Sequence, residues 1–177
     1  MKTIRLFIII LLSGAAGASA QQISTAELQV TGLTCSMCSQ ATEKSLRSLD
    51  FVESIKPDLN KNIFMISFKK GRPINVDQIR KKVQDAGFSV GNLSAMFSFS
   101  NLKVDAQGQA TDGGTVYKFA NASERTLNGE IRATIIDRNF ISPQAFKQYA
   151  ARLKSPAYAS GYGEVNGKKT RIYHLSI

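Results

Sequence analysis

Two cysteines separated by two residues are the part of this sequence best equipped for chemistry. Cys35 and Cys38 lie in the stretch Thr-Cys-Ser-Met-Cys. Thiolates are soft ligands, so such a pair suits Cu(I) best and can also take Zn(II), Hg(II) or Cd(II). A structural zinc site normally needs four protein ligands, and the 177 residues include only two cysteines and one histidine. The composition therefore favours an exchangeable site with few ligands and leaves little room for a histidine-dependent hydrolase.

The same two thiols could instead form a disulfide. In an oxidising compartment a CxxC pair tends to oxidise unless a metal or a reductase protects it. A structural disulfide and a thiol–disulfide enzyme therefore stay open beside metal binding. A single predicted strand precedes the motif, which argues against a thioredoxin-like oxidoreductase.

Four other residues could in principle bind a metal. Met37 stands between the cysteines, but the middle residues of such loops usually face solvent. Met65 and Met96 are expected in the core or a linker, and His174 is expected as a half-buried residue of an alternating strand. The predicted ligands are therefore Cys35 and Cys38 alone, and no catalytic residue is predicted.

The first 20 residues are predicted to be a secretory signal peptide. A basic start is followed by an apolar run over residues 6–12 and by an Ala-x-Ala end at residue 20. The run is much shorter than the roughly 20 residues that span a bilayer. We therefore expect a periplasmic protein with no membrane association once the peptide is cleaved.

The cysteines lie where a predicted strand meets a predicted helix. Apolar residues indicate a strand that ends at Thr34, and residues 36–49 lack Pro and Gly and predict a helix. The N-terminus of a helix carries positive potential, which lowers the pKa of a nearby thiol and favours the thiolate.

The elements that follow complete a small α+β unit over residues 24–93. Residues 52–59 predict a strand, and Pro57 places it at a sheet edge because proline cannot donate to a ladder. After it, the sequence predicts a more buried strand, then a helix capped by Asn75 and ended by Gly87, and then a short last strand. The order βαββαβ is that of a ferredoxin-like fold.

The residues around the cysteines resemble a known family. The chain has Gly-Leu-Thr-Cys-Ser-Met-Cys at residues 32–38, then Glu43 and Leu46, Val-Glu-Ser-Ile at residues 52–55, and Ala-Gly-Phe at residues 86–88. This pattern resembles the heavy-metal-associated domain, which occurs in copper chaperones, copper-transporting ATPases and periplasmic mercury-binding proteins. The resemblance covers the predicted ferredoxin-like unit and none of the remainder.

The resemblance implies a metal bound by Cys35 and Cys38 on the ferredoxin-like fold. It also implies that Phe88 is the aromatic residue packed near the metal loop. Leu33 would fill the position under the loop that the family usually gives to methionine.

Two residues depart from the family's pattern. Thr42 stands where an aliphatic residue is usual, which would loosen the packing of the first helix. Phe51 replaces the usual glycine before the second strand, so that turn must differ locally. Neither residue belongs to the expected ligand pair.

Residues 95–177 predict a second, mostly-β domain beyond a polar break at residues 91–94. Strands are expected from Phe97, at residues 115–119 and at residues 127–136, with a glycine-rich loop at residues 107–114 between the first two. A helix that starts at Ser142-Pro143 and a hairpin around Asn166-Gly167 are expected after them. The resulting order βββαββ is that of an OB-like barrel.

The net charge is +10, or +8 without residues 1–20, and no run of five or six like charges occurs. A solvated basic face is one interpretation of this charge, and a docking patch for an acidic partner or anionic headgroups is the other. We expect a protein that donates or accepts the metal and is acidic around its own site, steered by the basic clusters at residues 69–72 and 80–82. Export argues against nucleic acid as a ligand. The leading interpretation is an exported, non-enzymatic Cu(I) chaperone or sequestering protein; a periplasmic thiol–disulfide redox protein and an envelope interaction protein acting through the C-terminal domain are the alternatives.

Overall fold

The computed structural model describes residues 23–121 and 123–177. The predicted signal peptide lies outside the described residues. The described elements, in chain order, are β1 (Ile23–Thr31), α1 (Ser36–Arg47), β2 (Val52–Asp58), β3 (Ile63–Phe68), α2 (Val76–Asp85), β4 (Ser89–Val104), β5 (Gln109–Asp112), β6 (Thr115–Phe119), β7 (Arg125–Ile135), α3 (Pro143–Leu153), α4 (Pro156–Ser160), β8 (Tyr162–Val165) and β9 (Lys168–Ser176). No helix among these residues is long and apolar enough to cross a membrane.

The first half of the chain forms the predicted ferredoxin-like fold. Its strands lie in the order β2-β3-β1-β4, and α1 and α2 connect them in the predicted βαββαβ sequence. Strand β2, which contains Pro57, lies at the edge of the sheet as predicted. Strand β1 ends at Thr31, three residues earlier than Thr34, so the metal loop starts sooner than the apolar pattern indicated.

The two helices are held on the sheet by apolar stripes. Val76, Ile79 and Val83 of α2 are buried, as their spacing predicts, and Leu46 of α1 is fully buried. Each fully buried aliphatic side chain contributes about 1.5–3 kcal/mol to stability. The side chain of Ser45 also donates a hydrogen bond of 2.8 Å to the carbonyl of Lys82, which fixes one helix against the other.

The polar break at residues 91–94 is part of strand β4, which has 16 residues. The beginning of β4 pairs with β1, and from Ser94 onward it also pairs with β7. Both halves of the chain therefore share one sheet, in the order β2-β3-β1-β4-β7-β9-β6-β5, with β8 paired to β9.

The expected OB-like barrel is wrong in one respect, because the sheet does not close. Strand β5 lies against β4, but no ladder joins the two strands. The partner of β5 is β6, while β4 is already paired with β1 along its first half. The region is β-rich as expected, with β5 and α4 as elements that the sequence pattern did not predict.

Two predicted signals in the C-terminal region are confirmed. Ser142 caps α3, since its hydroxyl oxygen accepts a hydrogen bond of 3.2 Å from the backbone N–H of Ala145. Asn166 and Gly167 both have positive φ, the geometry of a tight hairpin, and connect β8 to β9.

Helices α3 and α4 cover a second, smaller core. Ile136, Ile141 and Tyr158 are its buried residues. The ring of Tyr158 stacks on Phe146 at 4.8 Å and meets the ring of His174 edge-on at 5.0 Å. The main core lies on the other side of β7, where Ile135 is buried beside residues of the ferredoxin-like half.

Charged groups join α2 to β9. Asp77 accepts hydrogen bonds from Nε of Arg171 at 3.1 Å and from the hydroxyl of Tyr173 at 2.9 Å. Arg171 also lies 2.9 Å from a carboxylate oxygen of Asp137, whose other oxygen is 2.7 Å from Nδ1 of His174. His174 is therefore fully buried and not half-buried as expected.

This arrangement controls the acidity of Asp77. Burial alone would raise the pKa of its carboxyl, but the hydrogen bond and charge of Arg171, with the hydroxyl of Tyr173, lower the pKa below its usual 3.8. The folded state thus binds a proton at Asp77 less readily than the unfolded state. This difference stabilises the folded state at pH values above the pKa that Asp77 has in the unfolded chain. The stabilisation is lost as the pH falls through the pKa that Asp77 has in the folded protein.

We predict that Asp77→Asn lowers the free energy of unfolding by about 1–3 kcal/mol at neutral pH, because the hydrogen bonds lose their charged acceptor. The variant should also lose less stability than the wild-type protein between about pH 5 and pH 2. Urea unfolding at several pH values measures both effects. Asp85→Asn, which removes an exposed carboxylate paired with Lys81, is the control and should follow the wild type; identical acid profiles for all three proteins would contradict the prediction.

Candidate metal centre

The metal loop, residues 32–35, joins β1 to α1; Cys35 is its last residue, and Cys38 lies in the first turn of α1. Cys35 is the N-cap of α1, with extended backbone at φ −152° and ψ 162°. Its sulfur accepts a hydrogen bond of 3.4 Å from the backbone N–H of Cys38. The predicted location of the cysteines at a helix N-terminus is therefore confirmed, and this cap directs both side chains to one spot.

The two sulfur atoms lie side by side at the surface. Their Sγ–Sγ distance is 2.7 Å, both cysteines are free thiols, and Cys35 is exposed while Cys38 is half-buried. The hydrogen bond with the thiol of Cys35 is the largest cause that lowers the pKa of Cys38 below 9.0; burial raises this pKa, and hydrogen bonds with Thr34 lower it further. The lowered pKa favours the thiolate form of Cys38, which is the form that binds a metal.

Thr42 supports the loop from one helical turn below. It is fully buried, and its hydroxyl donates a hydrogen bond of 3.0 Å to the carbonyl of Cys38. The hydroxyl of Thr42 thus has a hydrogen-bond partner, so Thr42 is buried in the helix packing without an unsatisfied polar group. Phe51, the other departure from the family pattern, is also buried, and its ring lies 6.1 Å from that of Phe68.

Neighbouring elements hold the loop at its base. Gly32 has φ +94°, and a Cβ added to it would lie 3.5 Å from the ring of Phe88. The hydroxyl of Thr31 donates to the carbonyl of Ser89 at 3.3 Å. Leu33 is partly buried against the main core. The structure therefore puts Phe88 and Leu33 beside and under the loop, where the resemblance implied.

The described residues offer no further cluster of ligands. No group of three or more His, Cys, Asp or Glu side chains comes together among them. Met37 is 74% exposed, and Met65, expected in the core or a linker, is 45% exposed on β3. His174 is engaged with Asp137. The cysteine pair therefore stands alone as a two-thiol site open to solvent.

The basic cluster at residues 69–72 lies at the end of the fold opposite the metal loop. Strand β3 starts beside the loop, where the carbonyl of Asn62 accepts from the N–H of Val30, and runs away from it. At the far end the N–H of Lys69 donates to the carbonyl of Phe51. The basic side chains of this cluster therefore do not adjoin the cysteines. On α2, Arg80 and Lys81 are each paired with a carboxylate of the same helix.

The sequence matches known proteins over the part of the chain that contains this loop. Residues 27–89 match the model of the heavy-metal-associated domain. The copper chaperone CopZ of Staphylococcus haemolyticus is 32% identical over 63 residues, which are 36% of this chain and 91% of that protein.

Two further matches cover the same region. A probable copper-exporting P-type ATPase of Archaeoglobus fulgidus is 32% identical over 71 residues, 40% of this chain but 9% of the much longer ATPase. A solved structure of a CopZ metallochaperone has 27% identity and a TM-score of 0.35, covering 38% of this chain and 98% of that one. The match to nearly the whole length of the staphylococcal chaperone decides the assignment: through residues 27–89, this chain belongs to the heavy-metal-associated domain family.

Proposed function

We propose that this protein binds Cu(I) between Cys35 and Cys38 and delivers or sequesters it by thiolate exchange, without catalysing a reaction. The observation that carries the proposal is the pair of free thiols at the N-cap of α1, 2.7 Å apart and open to solvent. Soft thiolates in low number suit Cu(I) better than harder ions. The names of the two curated relatives, a copper chaperone and a probable copper-exporting ATPase, support copper over zinc, mercury or cadmium.

Cys35, Cys38 and the start of α1 each contribute to metal binding. Cys38, with its lowered pKa, supplies the first thiolate. Cys35 supplies the second sulfur ligand, and any thiol proton at the site is released as the ion binds, because a thiol must be deprotonated to act as a ligand. The N–H groups at the start of α1 and the positive end of the helix stabilise the negative charge of the two sulfurs.

Transfer would proceed by exchange of ligands and not by oxidation. The exposed side of the site lets a thiolate of a partner protein bind the ion while one cysteine still holds it. One cysteine then leaves and takes up a proton, so copper stays monovalent and no electron is transferred. We propose a partner that donates or accepts Cu(I) in this way, and a supporting or docking role for residues 95–177.

The short distance between the sulfurs also favours a second candidate, a thiol–disulfide redox role. Thiols that already lie 2.7 Å apart need little movement to form a bond, and an oxidising compartment would promote it. Oxidation would abolish copper binding, so the thiol state of the protein isolated from its own compartment separates the two roles.

We further propose that the protein is exported to the periplasm and that residues 1–20 are removed. The proposal rests on the three-part sequence of that segment. The mature protein should begin at Gln21, as N-terminal sequencing of the protein from a periplasmic extract would show. A chain recovered in the cytosol with Met1 intact would contradict export.

We predict that the double variant Cys35→Ser, Cys38→Ser binds Cu(I) at least about 100-fold more weakly than the reduced wild-type protein, because hydroxyls are poor ligands for soft ions. Titration against a competing Cu(I) chelator measures the difference. Met37→Ala changes the exposed side chain between the cysteines and should leave the affinity unchanged. Equal affinity in the double variant and the wild type would refute the proposed site.

We predict that Cys38 is alkylated by iodoacetamide with a pH midpoint below that of an unperturbed cysteine, because the hydrogen bond with Cys35 lowers the pKa of its thiol. In Cys35→Ala this support is lost and the midpoint should move upward. Mass spectrometry of the modified peptide follows the rate at each pH. A midpoint that is the same in both proteins would show that Cys35 does not set the acidity of Cys38.

A further inference from the structure

A surface groove of about 380 Å³ lies where the metal end of the ferredoxin-like half meets the C-terminal region. The end of α2 and the start of β4 form one side of this groove, and residues between 138 and 147 form the other. Side chains of the heavy-metal-associated domain and of the C-terminal region therefore meet in one recess.

Ser89 connects the groove to the metal loop. It lines the groove, and its carbonyl accepts a hydrogen bond of 3.3 Å from the hydroxyl of Thr31, where β1 ends. Cys35 follows Thr31 by four residues, a stretch that spans at most about 14 Å. A typical protein interface covers about 800 Å² on each partner, a patch roughly 30 Å across. A protein that brings its own thiolates to Cys35 and Cys38 is therefore large enough to reach this groove as well.

Arg138 and Asn139, which line the groove, are the middle residues of a turn that is fixed at both ends. The N–H of Phe140 donates to the carbonyl of Asp137 at 3.0 Å, which closes the turn. Asp137 and Phe140 are buried, whereas Arg138 and Asn139 are exposed. The buried residues on either side thus hold Arg138 at the rim of the groove.

The guanidinium of Arg138 is available to an anion. It lies over the ring of Phe146, 5.0 Å from the centroid, and has no carboxylate partner among the residues that the structure describes. The ring attracts the cation, but it does not occupy the N–H groups at the edge of the guanidinium, whose planar arrangement matches a carboxylate.

Lys147 adds a second cation to the same side of the groove. It follows Phe146 on α3, is exposed and lines the groove. Within the described part of the chain its ammonium also forms no ion pair.

The opposite side of the groove does not neutralise these cations. Gln84 and Ser89 are exposed there and carry no charge. The carboxylate of Asp85, the residue after Gln84, lies 2.8 Å from the ammonium of Lys81 on the same helix. Two cations and no acidic residue line the groove, so its charge is complementary to that of carboxylates.

We propose that this groove binds a carboxylate-bearing surface of the protein that exchanges copper with Cys35 and Cys38, and that Arg138 and Lys147 contact those carboxylates. The proposal rests on the copper exchange proposed above and gives the C-terminal region a direct part in it. A concave site with two cations fits acidic side chains that protrude from a folded protein. An anionic membrane surface typically engages about four to eight Lys or Arg residues.

The exchange itself takes place at the cysteines. The two Cu(I)–S bonds to Cys35 and Cys38 break as two bonds to sulfurs of the partner form. The thiol protons of the partner pass through solvent to the released cysteines, and copper stays monovalent. Arg138 and Lys147 are not ligands of the ion, so they raise the rate of productive encounter without changing the affinity for copper.

Copper transfer to two acceptor peptides tests the proposal. The acetylated and amidated peptide Glu-Glu-Cys-Gly-Gly-Cys-Glu-Glu offers two thiols among carboxylates, and the same peptide with Gln in place of Glu offers the thiols alone. At low salt, Arg138→Gln, Lys147→Gln should slow transfer from the copper-loaded protein to the acidic peptide about fivefold and leave transfer to the neutral peptide unchanged. Lys69→Gln, Lys70→Gln removes the same charge at the opposite end of the fold and should change neither rate.

Charge reversal guards against a variant that is merely damaged. Arg138→Glu, Lys147→Glu should slow transfer to the acidic peptide further and should accelerate transfer to a peptide with Lys in place of Glu. Transfer rates to the acidic peptide that are equal in the wild type and in both variants of Arg138 and Lys147 would overturn the proposal.

A copper-free titration separates this proposal from the copper site. The acidic peptide with Ser in place of Cys, added to the isotope-labelled wild-type protein, should shift the NMR signals of the amides of Ser89, Asn139 and Lys147. The shifts should be lost in Arg138→Gln, Lys147→Gln. Because this binding requires no metal, it and the copper titration can fail separately.

Two results of these measurements would contradict the assignment. Shifts that are absent from the groove, or confined to residues 69–72, would show that the acidic surface does not bind there. Cosedimentation with phosphatidylglycerol vesicles that depends on Arg138 and Lys147 would assign the groove to a membrane surface and not to a protein partner.

Discussion

The position of every other element depends on strand β4, which hydrogen bonds to β1 on one side and to β7 on the other. Its first residues complete the ferredoxin-like sheet and place Phe88 beside the metal loop. Its later residues pair with β7 and so carry the C-terminal region as an extension of the same sheet. The metal loop and the C-terminal region are therefore held on one framework, although different parts of the chain build them.

The sequence predicted the ferredoxin-like half well because its signals are local. Val76, Ile79 and Val83 recur at helical spacing, Asn75 caps the helix they form, and Pro57 excludes β2 from a central position. The two cysteines of the candidate site also follow from local sequence, since spacing and the helix start bring them together.

The features that were missed depend on contacts between distant segments. Residues 91–94 look like a linker because they are small and polar, yet they pair with β1, more than 60 residues earlier in the chain. Strand β5 contacts β4 but pairs with β6, and no period in the sequence records this choice of partner. The burial of His174 likewise depends on Asp137, 37 residues away, which offers its carboxylate inside the second core.

The continuity of β4 has a consequence for how the protein avoids aggregation. From Ser94 to Val104 one edge of β4 is covered by β7, and the apolar rings of Phe97 and Phe99 lie along this stretch. If the chain stopped at the end of β4, this edge would present unpaired N–H and C=O groups, the pattern that recruits another chain into an intermolecular sheet. The C-terminal region thus protects this edge of β4 from pairing with another chain. The metal-binding unit of this chain is therefore a poor candidate for excision as a free module.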